Sequence, residues 1–133
     1  MKVVEKIDDM RRLRRQLAEP VGLVPTMGYL HEGHLALVRK ARAENPSVVV
    51  SIFVNPTQFG PQEDFEKYPR DHVLDLVLLE KEKTDIVFMP SVDEMYPAQF
   101  SSWVEVGKVT ERLGGGCPPW SFPGCYYGCC QAI

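Results

Sequence analysis

The chain has 133 residues, of which 44% are hydrophobic and 25% are charged, enough for one globular domain with a buried core. Its formal net charge of −3 gives no electrostatic reason to expect binding to nucleic acid or to an anionic membrane surface. No run approaches the roughly 18 apolar residues that span a bilayer, and the N-terminus lacks a signal-peptide pattern, so we expect a cytoplasmic protein.

The first half of the chain shows helical and strand patterns in turn. Residues 7–19 carry apolar side chains at steps of three and four, which predicts an amphipathic helix. The apolar run 21–24 predicts a short buried strand that ends at Pro25, and a second helix is predicted from Gly33. The residues of this second helix that we expect to face the core are Leu35, Leu37 and Val38.

The next segments continue the alternation. Residues 47–54 form a β-branched run bounded by prolines, which is typical of a strand covered on both faces. Residues 72–83 predict a helix and residues 85–90 another buried strand, while residues 103–106 alternate in a way that suits a sheet edge. The order strand, helix, strand, helix, strand predicts an α/β fold with a parallel sheet and right-handed crossovers.

Two of the three histidines lie close together, between the first of these strands and its helix. His31 and His34 would share one side of the first helical turn, at the carboxyl end of the strand, where open α/β sheets bind ligands. The helix N-terminus suits phosphate, and Gly28 and Gly33 would let a ligand approach the backbone. Two imidazoles could donate hydrogen bonds to charge that develops during transfer. The alternative is that one histidine caps or packs the helix and the other is solvated.

Longer strings around these histidines carry a family resemblance. H-x-G-H in this position resembles the nucleotidyltransferase superfamily, whose members attack the α-phosphate of ATP or CTP. The strings "PTMGYLHEGHLALV", "VVVSIFVNPTQFGPQEDFEKYPR" and "DIVFMPSVDEMYP" are similar to the pantothenate synthetase (pantoate–β-alanine ligase) family, over residues 21 to about 113. The resemblance implies a Rossmann-like parallel sheet of the HxGH nucleotidyltransferase type.

The resemblance also implies a two-step reaction in the coenzyme A pathway. Pantoate attacks ATP to give pantoyl adenylate and pyrophosphate, with Mg²⁺ assisting, and β-alanine then displaces AMP to form pantothenate. The implied partners are the small molecules ATP, pantoate and β-alanine, together with a second copy of the chain in a homodimer. Neither nucleic acid nor a membrane is expected as a partner.

Site residues follow from the resemblance by motif. His34 would be the catalytic histidine, with His31 as its partner on the phosphates, and no residue is assigned as a metal ligand. The ATP-binding residues would be Met27, Gly28, Tyr29, Leu30, His31, Glu32, Gly33 and His34. Gln58 would hold pantoate and β-alanine through its amide, with Asn55 and Tyr68 nearby. Without the resemblance, Asn55 would indicate a strand-ending turn, Gln58 a solvated loop residue and Tyr68 a helix-entry turn.

The C-terminal segment departs from the family pattern. It holds all four cysteines, Cys117, Cys125, Cys129 and Cys130, but their spacing matches no usual zinc site and no histidine accompanies them. Back-translated and read one base later, residues 114–132 become "EGAARPGHFRGVTTVVAKL", which is the continuation that the family implies. We therefore expect residues 1–113 to be an incomplete N-terminal nucleotide-binding domain. We expect residues 114–133 to be a frameshifted tail with no domain, and the ligase activity of this truncated chain to be lost.

Two other functions remain open from the sequence. One is another HxGH nucleotidyltransferase with a different acceptor, against which the N-P-x-Q-F element at residues 55–59 argues. The other is a non-catalytic fragment that pairs with full-length subunits through its sheet edge or its outer helices.

Overall fold

Strands and helices alternate along residues 1–60 and 65–98, which are the residues described by the computed structural model. The strands are β1 (Lys2–Val4), β2 (Val21–Thr26), β3 (Ser47–Ile52) and β4 (Ile86–Phe88). The helices are α1 (Ile7–Arg14), α2 (Glu32–Glu44), α3 (His72–Lys81) and α4 (Val92–Met95), with 3₁₀ turns at Pro56–Gln58 and Phe65–Lys67. Within these residues the strands form one parallel sheet in the order β1–β4–β3–β2.

The predicted α/β fold with a parallel sheet is confirmed. The strand–helix alternation from β2 to β4 follows the expected order, and α2 begins one residue before Gly33. Leu37 does not face the core as predicted, because it is 55% exposed. Leu35 and Val38 lie on the buried side of α2. Because an α-helix has 3.6 residues per turn, Leu37 lies on nearly the opposite side from Leu35 and faces away from the core.

The prediction that Pro25 ends the strand is wrong, because β2 continues to Thr26 and Pro25 pairs in register with Ser51. A proline is tolerated here because β2 is an edge strand of the sheet formed by the described residues. The Thr26 carbonyl accepts a hydrogen bond from the Phe53 N–H, so Thr26 points toward β3 and the preceding residue points outward. The missing N–H of Pro25 therefore lies on the side of β2 that faces away from β3, where no other described strand pairs.

The helix predicted over residues 7–19 is shorter, since α1 ends at Arg14. Gln16 and Leu17 continue only as a tighter turn, with N–H groups that donate to the carbonyls three residues back. The chain then reaches Pro20, where a helix could not continue. The sequence did not predict β1 or α4, which are about as short as β4 but lack the continuous apolar run that marks it. The predicted strand at residues 103–106 and the tail lie outside the described residues.

Apolar side chains cover the sheet on both faces. Alternate residues of β3 belong to two separate clusters, one with Val48 and Val50 and the other with Val49. The first cluster includes Val38 of α2 and Leu79 of α3, so these two helices cover one face. The second cluster contains Val4, Met10, Val49, Ile86, Phe88 and Met95, which places α1 and α4 on the opposite face. In the part of the chain that the structure describes, no helix is long and apolar enough to cross a membrane.

Candidate functional site

The turn between β2 and α2, residues 27–31, has an unusual backbone. Gly28 and Tyr29 have φ angles of 80° and 52°, in the left-handed region that favours glycine. A Cβ at position 28 would lie 2.9 Å from Cγ2 of Ile52, so the position excludes a side chain on steric grounds as well. The Gly28 N–H donates to Oγ1 of Thr26 at 3.2 Å, which ties the turn to the strand. Glycine is therefore required for the tight exit from β2.

A buried carboxylate holds the same turn from behind. Asp75 of α3 is 1% exposed, and its Oδ2 accepts from the Tyr29 N–H at 2.9 Å and its Oδ1 from the Leu30 N–H at 2.7 Å. The sequence reasoning missed Asp75. The available signal was an acidic residue four positions before Leu79, on the buried side of an otherwise apolar helix.

The two histidines cap the first turn of α2 reciprocally. His31 is the N-cap residue, and its Nδ1 accepts from the Gly33 N–H at 3.1 Å. The Nδ1 of His34 accepts from the His31 N–H at 3.3 Å, and the two ring centroids are 4.1 Å apart. The predicted placement of both imidazoles on one side of the helix start, at the carboxyl end of β2, is confirmed. The alternative that one histidine caps the helix is also right for His31.

This capping arrangement fixes the chemistry that the rings can offer. A nitrogen that accepts a backbone N–H carries no proton, so in the neutral imidazoles of His31 and His34 the proton lies on Nε2. Both side chains can then donate from Nε2 while Nδ1 stays bonded to the helix start. Together with the N–H groups of the first helical turn, they form a set of donors suited to phosphate oxygens.

The local environment keeps His34 neutral. Burial lowers the pKa of His34 from its usual value of 6.5, the neighbouring His31 lowers it further, and Asp75 opposes the shift. The lowered pKa favours the neutral ring at pH 7, as its accepting Nδ1 requires. Protonation of that nitrogen would remove the hydrogen bond from His31.

Acidification should consequently weaken the fold. A histidine whose pKa is lowered on folding binds protons more readily when unfolded, so its contribution is complete above pH 6.5 and is lost as the pH falls toward its folded pKa. We expect the free energy of unfolding, measured with urea, to decrease between about pH 7.5 and about pH 5.5. His34→Asn should flatten this dependence. An equal slope in the wild type and His34→Asn would contradict the expectation.

A second group of predicted residues follows β3. Asn55 is 4% exposed, and its Oδ1 accepts from the N–H and Oγ1 of Thr57, at 3.1 and 2.9 Å, and from the hydroxyl of Tyr96 at 3.0 Å. The Gln58 N–H donates to the backbone carbonyl of Asn55 at 3.1 Å, which closes the 3₁₀ turn. Asn55 therefore organises the turn that presents the half-buried Gln58. The sequence reasoning assigned no role to Tyr96.

Phe59 joins this turn to the segment that carries Tyr68. Its ring packs edge-on against Phe65 and Tyr68, with centroid distances of 5.4 and 5.7 Å. The Arg70 guanidinium donates to the carbonyls of Phe65, Glu66 and Tyr68, which fixes the segment just before α3. The helix-entry turn expected around Tyr68 is thus present. Tyr68 therefore packs against the residue that follows Gln58, while His31 and His34 form a separate pair at the end of the neighbouring strand.

A cavity of about 190 Å³ opens where β3 and β4 end. It is lined by Ile52, Phe53, Val54, Phe65, Arg70, His72, Met89, Pro90, Ser91 and Val92. None of the predicted site residues lines this cavity. The described residues also include no group of three or more His, Cys, Asp or Glu side chains that could hold a metal ion.

The eight residues predicted to bind ATP differ in what they expose. Tyr29, His31, Glu32 and Gly33 are exposed and Met27 and His34 are half-buried, but the Leu30 side chain belongs to the core and Gly28 is buried. The Glu32 carboxylate forms an ion pair with Arg39 of the same helix. Direct ligand contacts from this stretch would therefore come from the exposed backbone and the two imidazoles, with Leu30 serving as an anchor.

Gly33→Ala tests whether the position of the His31 ring matters. A Cβ at position 33 would lie 2.9 Å from Cε1 of His31, so the ring must move away and lose its bond from the N–H of residue 33. The gain in helix propensity offsets this loss, and we expect the free energy of unfolding to change by less than about 1 kcal/mol. ATP binding, followed by NMR, should weaken by about tenfold for the loss of one well-placed donor. Unchanged binding would contradict the assignment of His31.

Comparison with known proteins places these features in a family. The family model described as pantoate-beta-alanine ligase matches residues 2–131. A pantothenate synthetase of Thermotoga neapolitana is 55% identical over 136 aligned residues, covering 100% of this chain and 47% of the relative. One of Dehalococcoides mccartyi is 58% identical over 115 residues, covering 86% of this chain and 43% of the relative.

Solved structures agree with the sequence relatives. Pantothenate synthetase from Thermus thermophilus has a TM-score of 0.87 and 46% identity over 98% of this chain and 47% of its own. The ligase from Francisella tularensis, complexed with beta-gamma ATP and beta-alanine, has a TM-score of 0.86 and 36% identity over 98% of this chain and 51% of its own. The chain spans about half the length of the relatives it matches. It belongs to the pantoate–β-alanine ligase family.

Proposed function

We propose that the chain is the nucleotide-binding part of an enzyme that condenses pantoate with β-alanine at the expense of ATP. The observation that carries the proposal is the pair of imidazoles at the start of α2, with both Nδ1 atoms bonded to the backbone. ATP and β-alanine are proposed as substrates because the related Francisella tularensis ligase was crystallised with beta-gamma ATP and beta-alanine.

The first step needs stabilisation of negative charge. An oxygen of the pantoate carboxylate attacks the α-phosphorus of ATP, and the bond to the leaving pyrophosphate breaks. Nε2–H groups of His34 and His31 donate to the phosphate oxygens on which charge accumulates, alongside the N–H groups at the helix start. Neutral rings suit this role, since each provides one fixed donor while its other nitrogen keeps the helix capped.

The second step forms the amide. The β-alanine amine attacks the acyl carbon of pantoyl adenylate, AMP leaves with the electron pair of the broken bond, and the amine loses a proton. Gln58, Asn55 and Tyr68 are proposed to hold pantoate and β-alanine. Because Oδ1 of Asn55 already accepts three hydrogen bonds, its carboxamide N–H groups are the atoms available for a ligand.

Magnesium is proposed as the counterion of ATP. Mg²⁺ bound to ATP commonly keeps several waters and is held largely through the phosphates. When bound, it would neutralise charge on the phosphates of ATP. We assign it no ligand from residues 1–60 or 65–98.

The tail is proposed to be out of frame. On this proposal residues 1–113 are the incomplete nucleotide-binding domain and residues 114–133 are a frameshifted product. The support is that every codon from Gly114 to Ala132 can be chosen so that the shifted frame encodes the family continuation. The family match nevertheless reaches residue 131, so DNA sequencing across the Leu113 codon is the deciding measurement. An intact frame in the DNA would reject the proposal.

Cytoplasmic location and a homodimer complete the proposed function. Both rest on the family relationship. Sedimentation of the purified chain would test the dimer directly. A monomer across the micromolar range would reject it for this chain.

The binding half of the proposal is tested on the 133-residue chain itself. Titration with ATP should shift the Nε2 resonances of His31 and His34 in ¹⁵N-edited NMR spectra, because these atoms are the proposed donors. His72 lies outside the capping pair, so its ring resonances should shift less. Equal shifts at all three histidines would indicate nonspecific binding and would reject the assignment.

A further inference from the structure

Asp75 lies behind the histidine pair, and the proposed reaction gives it no part. Its carboxylate is 1% exposed, yet it bonds to no cationic side chain among the contacts described for it. Both oxygens are instead directed at the β2–α2 turn, where they accept from the adjacent N–H groups of Tyr29 and Leu30. A buried carboxylate is costly to retain, so such directed bonding points to a specific role.

The two bonds act on the most constrained part of the turn. Tyr29 adopts a φ of 52°, which an L-residue other than glycine rarely adopts unless its surroundings hold it there. Asp75 accepts hydrogen bonds from the N–H groups of Tyr29 and Leu30. The peptide groups before and after the Tyr29 Cα are therefore both bonded to α3. His31 follows immediately and begins the cap of α2. The direction of the turn therefore determines where His31 and His34 stand.

Asp75 also acts on the pair through its charge. It raises the pKa of His34, against the lowering caused by burial and by His31. The carboxylate is thus close enough to influence the ring without bonding to it, and removing its charge should leave a measurable trace on His34.

We propose that Asp75 is a positioning residue that fixes the β2–α2 turn and thereby sets the orientation of the His31–His34 donor pair. Its effect on nucleotide binding rests on the proposed function, whereas its hold on the turn does not. Asp75 is proposed to touch no reacting atom and to act through its bonds to residues 29 and 30 and through its charge on His34.

Asp75→Asn is the decisive variant in the full 133-residue chain. Asparagine keeps the size, but its NH₂ group faces a backbone N–H and one of the two bonds is lost. The hydrogen-exchange rates of the Tyr29 and Leu30 amides should rise about tenfold relative to the rate of the Val50 amide. Val50 lies in the central strand β3, so its exchange reports global unfolding. The pKa of His34, followed by NMR, should fall further because the opposing charge is gone. ATP should bind more weakly.

Asp71→Ala is the matched control. Asp71 caps the same helix by accepting from the Leu74 N–H at 3.0 Å, so its loss weakens α3 without touching the turn. This variant should leave both the His34 pKa and the exchange ratio of Tyr29 to Val50 unchanged. If Asp75→Asn does not fold, the comparison is made in a Tyr29→Gly background, where glycine adopts the turn without strain.

The outcomes separate the two proposals. If ATP fails to bind the wild-type chain, the nucleotide-binding half of the proposed function is rejected for this chain, while the His34 titration and the exchange ratios still decide the role of Asp75. If Asp75→Asn alters neither the His34 pKa nor the exchange ratio, the positioning role is overturned. Equal changes in Asp75→Asn and Asp71→Ala would also overturn it, since they would indicate a merely structural effect.

Discussion

In a protein whose reading frame is restored by one base after Leu113, His34→Ala should reduce the rate of AMP release about 100- to 1,000-fold. This is the range expected when an enzyme loses one hydrogen-bond donor to the charge that develops in the transition state. The substitution removes the Nε2–H donor and also the Nδ1 acceptor that bonds the His31 N–H. Both effects act on the transition state, because the displaced His31 loses its alignment as well. The assay is AMP release that depends on both pantoate and β-alanine.

Two comparisons make this expectation specific. Asp71→Ala removes the cap of α3, so it controls for a general loss of stability and should keep most of the activity. The 133-residue chain, which lacks the proposed downstream half, should turn over near background. Robust turnover by that chain would reject the truncation proposal, and AMP release that ignores β-alanine would favour a different acceptor.

Gly28→Ala should destabilise the fold by about 2–5 kcal/mol, which combines the strain of a left-handed L-residue with overpacking against a rigid neighbour. The added Cβ would lie 2.9 Å from Cγ2 of Ile52 and 3.1 Å from Oδ2 of Asp75, both buried. A domain of this size has a total stability of about 5–15 kcal/mol, so the substitution would remove a large share of it.

Urea denaturation of Gly28→Ala and Gly33→Ala side by side checks this result. The same chemical change at the exposed Gly33 meets only the movable His31 ring, so its cost in stability should be small. Gly28→Ala should therefore lower the free energy of unfolding, whereas Gly33→Ala should change mainly the position of the His31 ring. Equal denaturation midpoints would show that the backbone of the turn is not under the strain that its φ angles indicate.

The sheet and its flanking helices were predictable because their patterns are long. The β-branched run of β3 and the spacing of Leu35 and Val38 each reflect burial that repeats over several residues. Pro25 misled the boundary prediction, since a proline is compatible with a strand only on a sheet edge and the sequence does not order the strands. β1 could be identified only in the structure, from its parallel pairing with β4.

The site was predictable only in part, for a related reason. H-x-G-H is a local pattern, and a helix start brings its members together whatever the rest of the chain does. Asp75 and Tyr96 contact the site from 46 and 41 residues away in sequence, so their roles depend on the packing of α3 and of the segment after α4. Local spacing carries no information about such contacts. Asn55 was predicted from its motif, but the hydrogen bonds that its Oδ1 accepts from Thr57 and Tyr96 could not be predicted from the sequence.

The outward-facing proline of β2 bears on how copies of this chain can associate. A neighbouring chain that added a strand to that edge would need the N–H groups of alternate residues, those that share the direction of Pro25. Pro25 supplies none, so a ladder started there would be interrupted within one strand length. The opposite edge, β1, offers only the three residues Lys2–Val4. Within the sheet of the described residues, self-association by strand addition is therefore disfavoured at the β2 edge.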